Sequence, residues 1–102
     1  MYIAMNRFKV ATDHTNDFIH IWKSRQSLLD QVEGFKDFKL LQGPQDEHSA
    51  LFVSHSIWES QAAFKNWTES DHFKNAHRGA KAPEGTYLEH PKFEGFEVVL
   101  DK

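Results

Sequence analysis
The order in which hydrophobic periodicity switches between strand and helix constrains this chain more than any other feature. Tyr2 to Val10 alternates: Tyr2, Ala4, Asn6, Phe8 and Val10 share one face, and Ile3, Met5, Arg7 and Lys9 the other. Thr12, Asp13 or Thr15 can cap a helix after it. The pattern is then helical to about Val32, with Phe18, Ile21, Trp22, Arg25, Leu28, Leu29 and Val32 in one stripe. Gly34 supplies a left-handed cap. Phe35 to Leu41 reads as a second strand and Gly43-Pro44-Gln45-Asp46 as a turn. Ser49 to Trp58 is a third strand, alternating Leu51, Val53, His55 and Ile57 against Ala50, Phe52, Ser54, Ser56 and Trp58. The short turn predicts an antiparallel hairpin. Ser60 caps a short helix holding Ala63, Phe64 and Trp67, and Ser70 another holding Phe73, Ala76, His77 and Ala80. A loop with Pro83, Gly85 and Pro91 leads to a last strand from Phe93 to Leu100.

Strand, long helix, strand, strand, helix, strand is the ferredoxin-like split βαβ plan. It is an α+β fold with a four-stranded antiparallel sheet and helices on one face. A length of 102 residues suits one domain spanning 1–102. The bare sheet face would gather Ile3, Met5, Leu51, Val53 and Ile57, joined by Phe35 and Val98. So large an apolar patch predicts a homodimer closed sheet to sheet into an α+β barrel.

Composition removes several function classes. The formal charge is −3 and Lys and Arg are scattered, which argues against a nucleic-acid partner. The chain has no cysteine, so disulfides, thiolate metal sites and thiol catalysis are excluded, in keeping with a cytoplasmic location. The N-terminal MYIAMNRFKV has no basic stretch followed by a long apolar one, and no apolar run approaches membrane-spanning length, so neither a signal peptide nor a membrane partner is expected. Nine Phe, three Trp and two Tyr suffice to fill a core or to line a pocket for a flat ligand.

Three residues stand out as chemistry-bearing. Asn6 interrupts the apolar face of the first strand. A buried amide must bond to something, either a backbone group that fixes strand register or a ligand in a pocket. His77 shares a helix face with Phe73 and Ala76, as a core or helix-end histidine would. It would equally serve as a neutral imidazole ligand approached across the small residues Ala76, Gly79 and Ala80. Trp67, three residues after Phe64, has a plain packing reading. The remaining histidines form no metal signature, and there is no phosphate loop or nucleophilic triad.

The segments MYIAMNRFKV, IWESQAAFKNWTESDHFKNAH and FEGFEVVL together resemble the antibiotic-biosynthesis-monooxygenase-like domain, specifically the IsdG-type haem-degrading monooxygenases. The resemblance covers nearly the whole chain. It implies a dimer of ferredoxin-like subunits, each using haem as cofactor and substrate with oxygen and an external electron donor. Iron and an opened, bilin-type tetrapyrrole are the products. His77 would be the proximal iron ligand. Asn6 would stand on the distal side, where oxygen binds, and Trp67 would press on the porphyrin and ruffle it. The resemblance carries over no propionate partner; Lys23 and Arg25, on the long helix, are candidates by position, with plain surface charge as the alternative reading. Two other classes share parts of this pattern. A haem carrier or sensor needs His77 but not Asn6. A cofactor-independent monooxygenase acting on an aromatic polyketide needs no iron ligand.

Overall fold
The structure, a computed structural model, describes residues 1–71, 73, 74 and 82–102; the side chains of residues 25–28 also lie outside it. Strands β1 (Tyr2–Ala11), β2 (Phe35–Gln45), β3 (Ser49–Trp58) and β4 (Lys92–Glu97) form one sheet in the order β2-β3-β1-β4. Every neighbouring pair is antiparallel. Helices α1 (Thr15–Arg25) and α2 (Gln61–Thr68) both pack on the face that carries Tyr2, Phe8, Phe52 and Trp58. This is the predicted ferredoxin-like arrangement. Among the described residues no helix is long and apolar enough to cross a membrane.

The core divides into two clusters along β1. The first joins Phe8, Val10, Ala50 and Phe52 to Phe18 of α1. Phe18 is fully buried, with its ring 4.9 Å from Phe52 and 5.2 Å from Phe8. The second joins Tyr2, Ala4 and Trp58, with Phe35, Phe64 and Trp67 packed against them. Burying an aromatic of this kind stabilises by roughly 1.5–3 kcal/mol, so each cluster anchors one helix to the sheet. Ser60 caps α2 as expected, its hydroxyl accepting from the Ala63 N–H at 3.1 Å. Ser70 likewise accepts from the Phe73 N–H at 3.2 Å and opens the next helical turn.

Several boundaries differ from the sequence expectation, each for a local reason. The long helix stops at Arg25 and tightens into a 3-10 segment over Gln26–Gln31. Residues three apart align in that geometry, so Leu29 and Val32 both reach the second cluster. Gly34 keeps its predicted role, with φ at 82°. β2 runs through Gly43 and Pro44 to Gln45, and the turn falls at Asp46, whose Oδ1 accepts from the His48 and Ser49 N–H groups at 2.8 Å each. β2 is an edge strand, where a proline costs no ladder bond, and its register slips between Gln42 and Gln45. Phe35 lies opposite Trp58 on the helix side rather than on the bare face, packing edge-on against that indole at 5.5 Å. β4 ends at Glu97, because β1 begins at Tyr2 and offers nothing further to pair with. The Val98 N–H donates to the Met1 carbonyl, while Val99 and Leu100 are exposed. The loop before β4 continues the ladder: the Ala11 N–H donates to the Thr86 carbonyl and the Leu88 N–H to the Lys9 carbonyl.

Candidate functional site
Asn6 stands where the two core clusters part. Its rung of the sheet runs from Phe93 on β4 through Asn6 on β1 to Ser54 and Leu40. The rungs on either side carry Ala4 with Ser56 and Phe8 with Phe52, so the amide occupies a polar notch in an otherwise apolar, helix-facing surface. Asn6 is half-buried, and among the described residues its side chain makes no hydrogen bond. The register-fixing backbone bond allowed by the sequence is therefore absent among them. A polar group in such a place is normally satisfied, by protein, water or ligand.

Aromatic rings wall the notch on the side of the second cluster. Phe93 stacks on Phe64 of α2, with centroids 5.5 Å apart and planes 6° from parallel. Trp67 lies on the same helix, 5.3 Å from Trp58 and 6.1 Å from Phe64. Phe73 meets the Trp67 ring edge-on at 4.7 Å. The indole of Trp67 is thus packed against other rings, and only part of it is buried. On the side of the first cluster, Phe8 lies 5.8 Å from Trp22 and 6.1 Å from Tyr87.

Of the three residues singled out from sequence, Asn6 and Trp67 lie on this helix-facing side. His77 lies outside the described residues. Lys23 is exposed, and the Arg25 side chain lies outside the description. Among the described residues no group of His, Asp or Glu could hold a metal ion. The sequence marks Phe93 only as the start of a strand; its place beside Asn6 depends on the β1–β4 register, which no local pattern encodes. A separate open hollow of about 390 Å³ is lined by Arg7, Lys9, Leu51 and Lys92 near the β2–β3 turn. Those four residues belong to the opposite sheet face, although the hollow also touches Phe8; Asn6 does not line it.

The arrangement suits a flat, largely apolar molecule with one polar centre. Aromatic walls would cover its faces and edges, and a single amide would meet the centre without changing charge. Residues 1–79 match the family model described as antibiotic biosynthesis monooxygenase. The chain is 28% identical over 78 residues to a staphylobilin-producing heme oxygenase of Staphylococcus epidermidis, covering 76% of this chain and 74% of that one. It superposes on the heme-degrader MhuD from Mycobacterium tuberculosis, a structure with two hemes bound in its active site, with a TM-score of 0.76 and 26% identity over 100% of this chain and 99% of that one. A mutant MhuD with two manganese protoporphyrin IX molecules per active site gives a TM-score of 0.78 and 25% identity, over 100% and 98% of the two chains.

Proposed function
Because the chain belongs to the antibiotic biosynthesis monooxygenase family, we propose that it is a haem-degrading monooxygenase of the IsdG type, which opens the porphyrin with oxygen and an external electron donor and releases iron and a bilin-type product. The observation that carries this reading is the Asn6 amide, unbonded among the described residues, in an apolar surface walled by Phe93, Phe64 and Trp67. The similarity to a staphylobilin-producing heme oxygenase and to MhuD supports it.

The residues fit the ligand chemically. Haem is broad, flat and apolar around a metal, and when bound it supplies the redox chemistry at its iron. The chain's own tasks are ligation, shape and hydrogen bonding. His77 would hold the iron through a neutral imidazole. Asn6 would donate a hydrogen bond to the bound ligand, and an amide does so at any physiological pH because it does not titrate. Trp67 would press on the ring. Its packing against Trp58 and Phe73 gives it something to press from, since close-packed interiors resist displacement. A pure carrier has no use for an amide at this place in an otherwise apolar surface. We further propose that the working unit is a homodimer.

A visible absorption time course tests the reading. Haemin is added to one equivalent per chain, then ascorbate in air with catalase present. A Soret band that forms and then decays into a bilin-type spectrum is expected. A band that forms and persists, with biological reductants also tried, would make the protein a carrier or sensor. No band at all would favour cofactor-independent monooxygenation of an aromatic polyketide.

A further inference from the structure
The rung that carries Asn6 holds a second polar side chain. Ser54 is 7% exposed and lies between Asn6 on β1 and Leu40 on β2, on the helix-facing side. Its nearest like neighbour is Ser56, two residues on and on the same face. The Ser56 hydroxyl is committed to the fold: it donates to the Ala4 carbonyl at 3.4 Å and accepts from Trp58 Nε1 at 2.9 Å. The Ser54 hydroxyl makes no such bond among the described residues, and neither does the Asn6 amide beside it. Both groups point to one notch without a protein partner among the described residues, so a ligand that enters the notch would meet the two together. Residues directly opposite on antiparallel strands have Cβ atoms roughly 4.5–5.5 Å apart, within reach of a serine and an asparagine that turn toward each other.

We propose that Ser54 is a positioning residue of the haem site: with haem in the notch, its hydroxyl donates to Asn6 Oδ1 and turns the Asn6 Nδ2 group toward the ligand. The proposal rests on the haem reading above. An amide has one accepting and one donating end, and rotation by half a turn exchanges them. Only the donating end is of use to a ligand atom that carries lone pairs. The hydroxyl selects between the two orientations, and by polarising the amide it strengthens the N–H as a donor. Leu40, on the far side of Ser54, has no polar group to compete for the hydroxyl.

The test is the C–O stretching frequency of the ferrous haem complex with carbon monoxide, which responds to a hydrogen-bond donor beside the bound gas. It is measured in the parent, Asn6→Ala, Ser54→Val and Ser54→Thr, alongside a Soret titration with haemin. Ser54→Val is expected to bind haemin within about threefold of the parent, since it removes no ligating or walling group. Its C–O band is expected to shift in the same direction as that of Asn6→Ala, and Ser54→Thr to restore the parent band. Ser54→Ala replaces Ser54→Val if the larger side chain prevents folding. A parent-like band in the variant lacking the hydroxyl, with Asn6→Ala shifted, would overturn the role of Ser54 while leaving the haem reading intact. A parent that forms no Soret band would remove both.

Discussion
Gly34 and Ala63 lie so close that a Cβ built on the glycine would sit 2.5 Å from the alanine Cβ. The contact joins the turn after the 3-10 segment to the first turn of α2, and the Glu59 N–H donating to the Gly34 carbonyl at 2.8 Å locks it. Gly34→Ala meets two penalties, the steric one and the φ of 82°. A loss of roughly 1–3 kcal/mol is expected from urea unfolding, the range for a residue held in a sparsely populated backbone region. The shift also moves α2 and hence Trp67, so bilin formation should slow even at temperatures where the variant stays folded.

Asn6→Leu should separate stability from function. The change fills a half-buried position between Phe8 and Ala4 with an apolar side chain and removes an amide that has no bond among the described residues. Unfolding free energy should rise by about 1 kcal/mol, the scale of gaining a partly buried apolar side chain. Turnover of haem should fall on the order of a hundredfold, the scale of losing one preorganised donor. A variant that is both less stable and fully active would mean that Asn6 is a structural amide.

Much of this is legible in the sequence because it rests on local period. The alternation from Ser49 to Trp58 places Ser54 with Phe52 and Trp58, and the structure keeps that face. Asn6 is visible for the same reason, as a break in a pattern. What period cannot supply is register: that Phe93 and Ser54 flank Asn6 depends on strand pairing across 87 and 48 residues of chain, by subtraction of their numbers. Periodicity puts Phe35 on the wrong face because the irregularity between Phe35 and Asp37 breaks the alternation at the start of β2. Gly43-Pro44 reads as a turn because local propensity favours one there, but an edge strand tolerates both residues.

The β2–β3 turn should carry a pH signature. The Asp46 carboxylate accepts from the backbone N–H of His48 and then of Ser49, which lowers its pKa below the ordinary value of 3.8. A depressed folded-state pKa contributes stability that is fully present above the ordinary carboxyl range and is lost as pH falls through the lowered value. Asp46→Asn keeps an acceptor and drops the charge. It should unfold at lower urea than the parent at neutral pH, with the gap closing as the solution is acidified. A gap that stays constant with pH would show that the charge contributes nothing to the turn.

The bare sheet face offers the test of the proposed homodimer. Across the strands, one rung reads Phe96, Ile3, Ile57, Asp37 and the next Glu94, Met5, His55, Lys39. A third brings Lys92, Arg7, Val53 and Leu41 together. Phe96 is 45% exposed and Leu41 40%, while the charged pairs Arg7–Glu94 and Lys39–Asp37 lie among and beside the apolar residues. Packing two such faces about a two-fold axis would cover the apolar residues of both copies. In that arrangement Ile57→Lys puts an ammonium from each copy into the shared interior, where an unpaired charge costs on the order of several kcal/mol. Within a single copy Asp37 stands beside position 57 and tempers the new charge, so the subunit itself should still fold. Sedimentation is expected to give twice the single-chain mass for the parent and the single-chain mass for Ile57→Lys, with the far-UV circular dichroism of the two alike. A parent that sediments as a single chain would sink the dimer. An Ile57→Lys variant that remains paired would place the contact on another face.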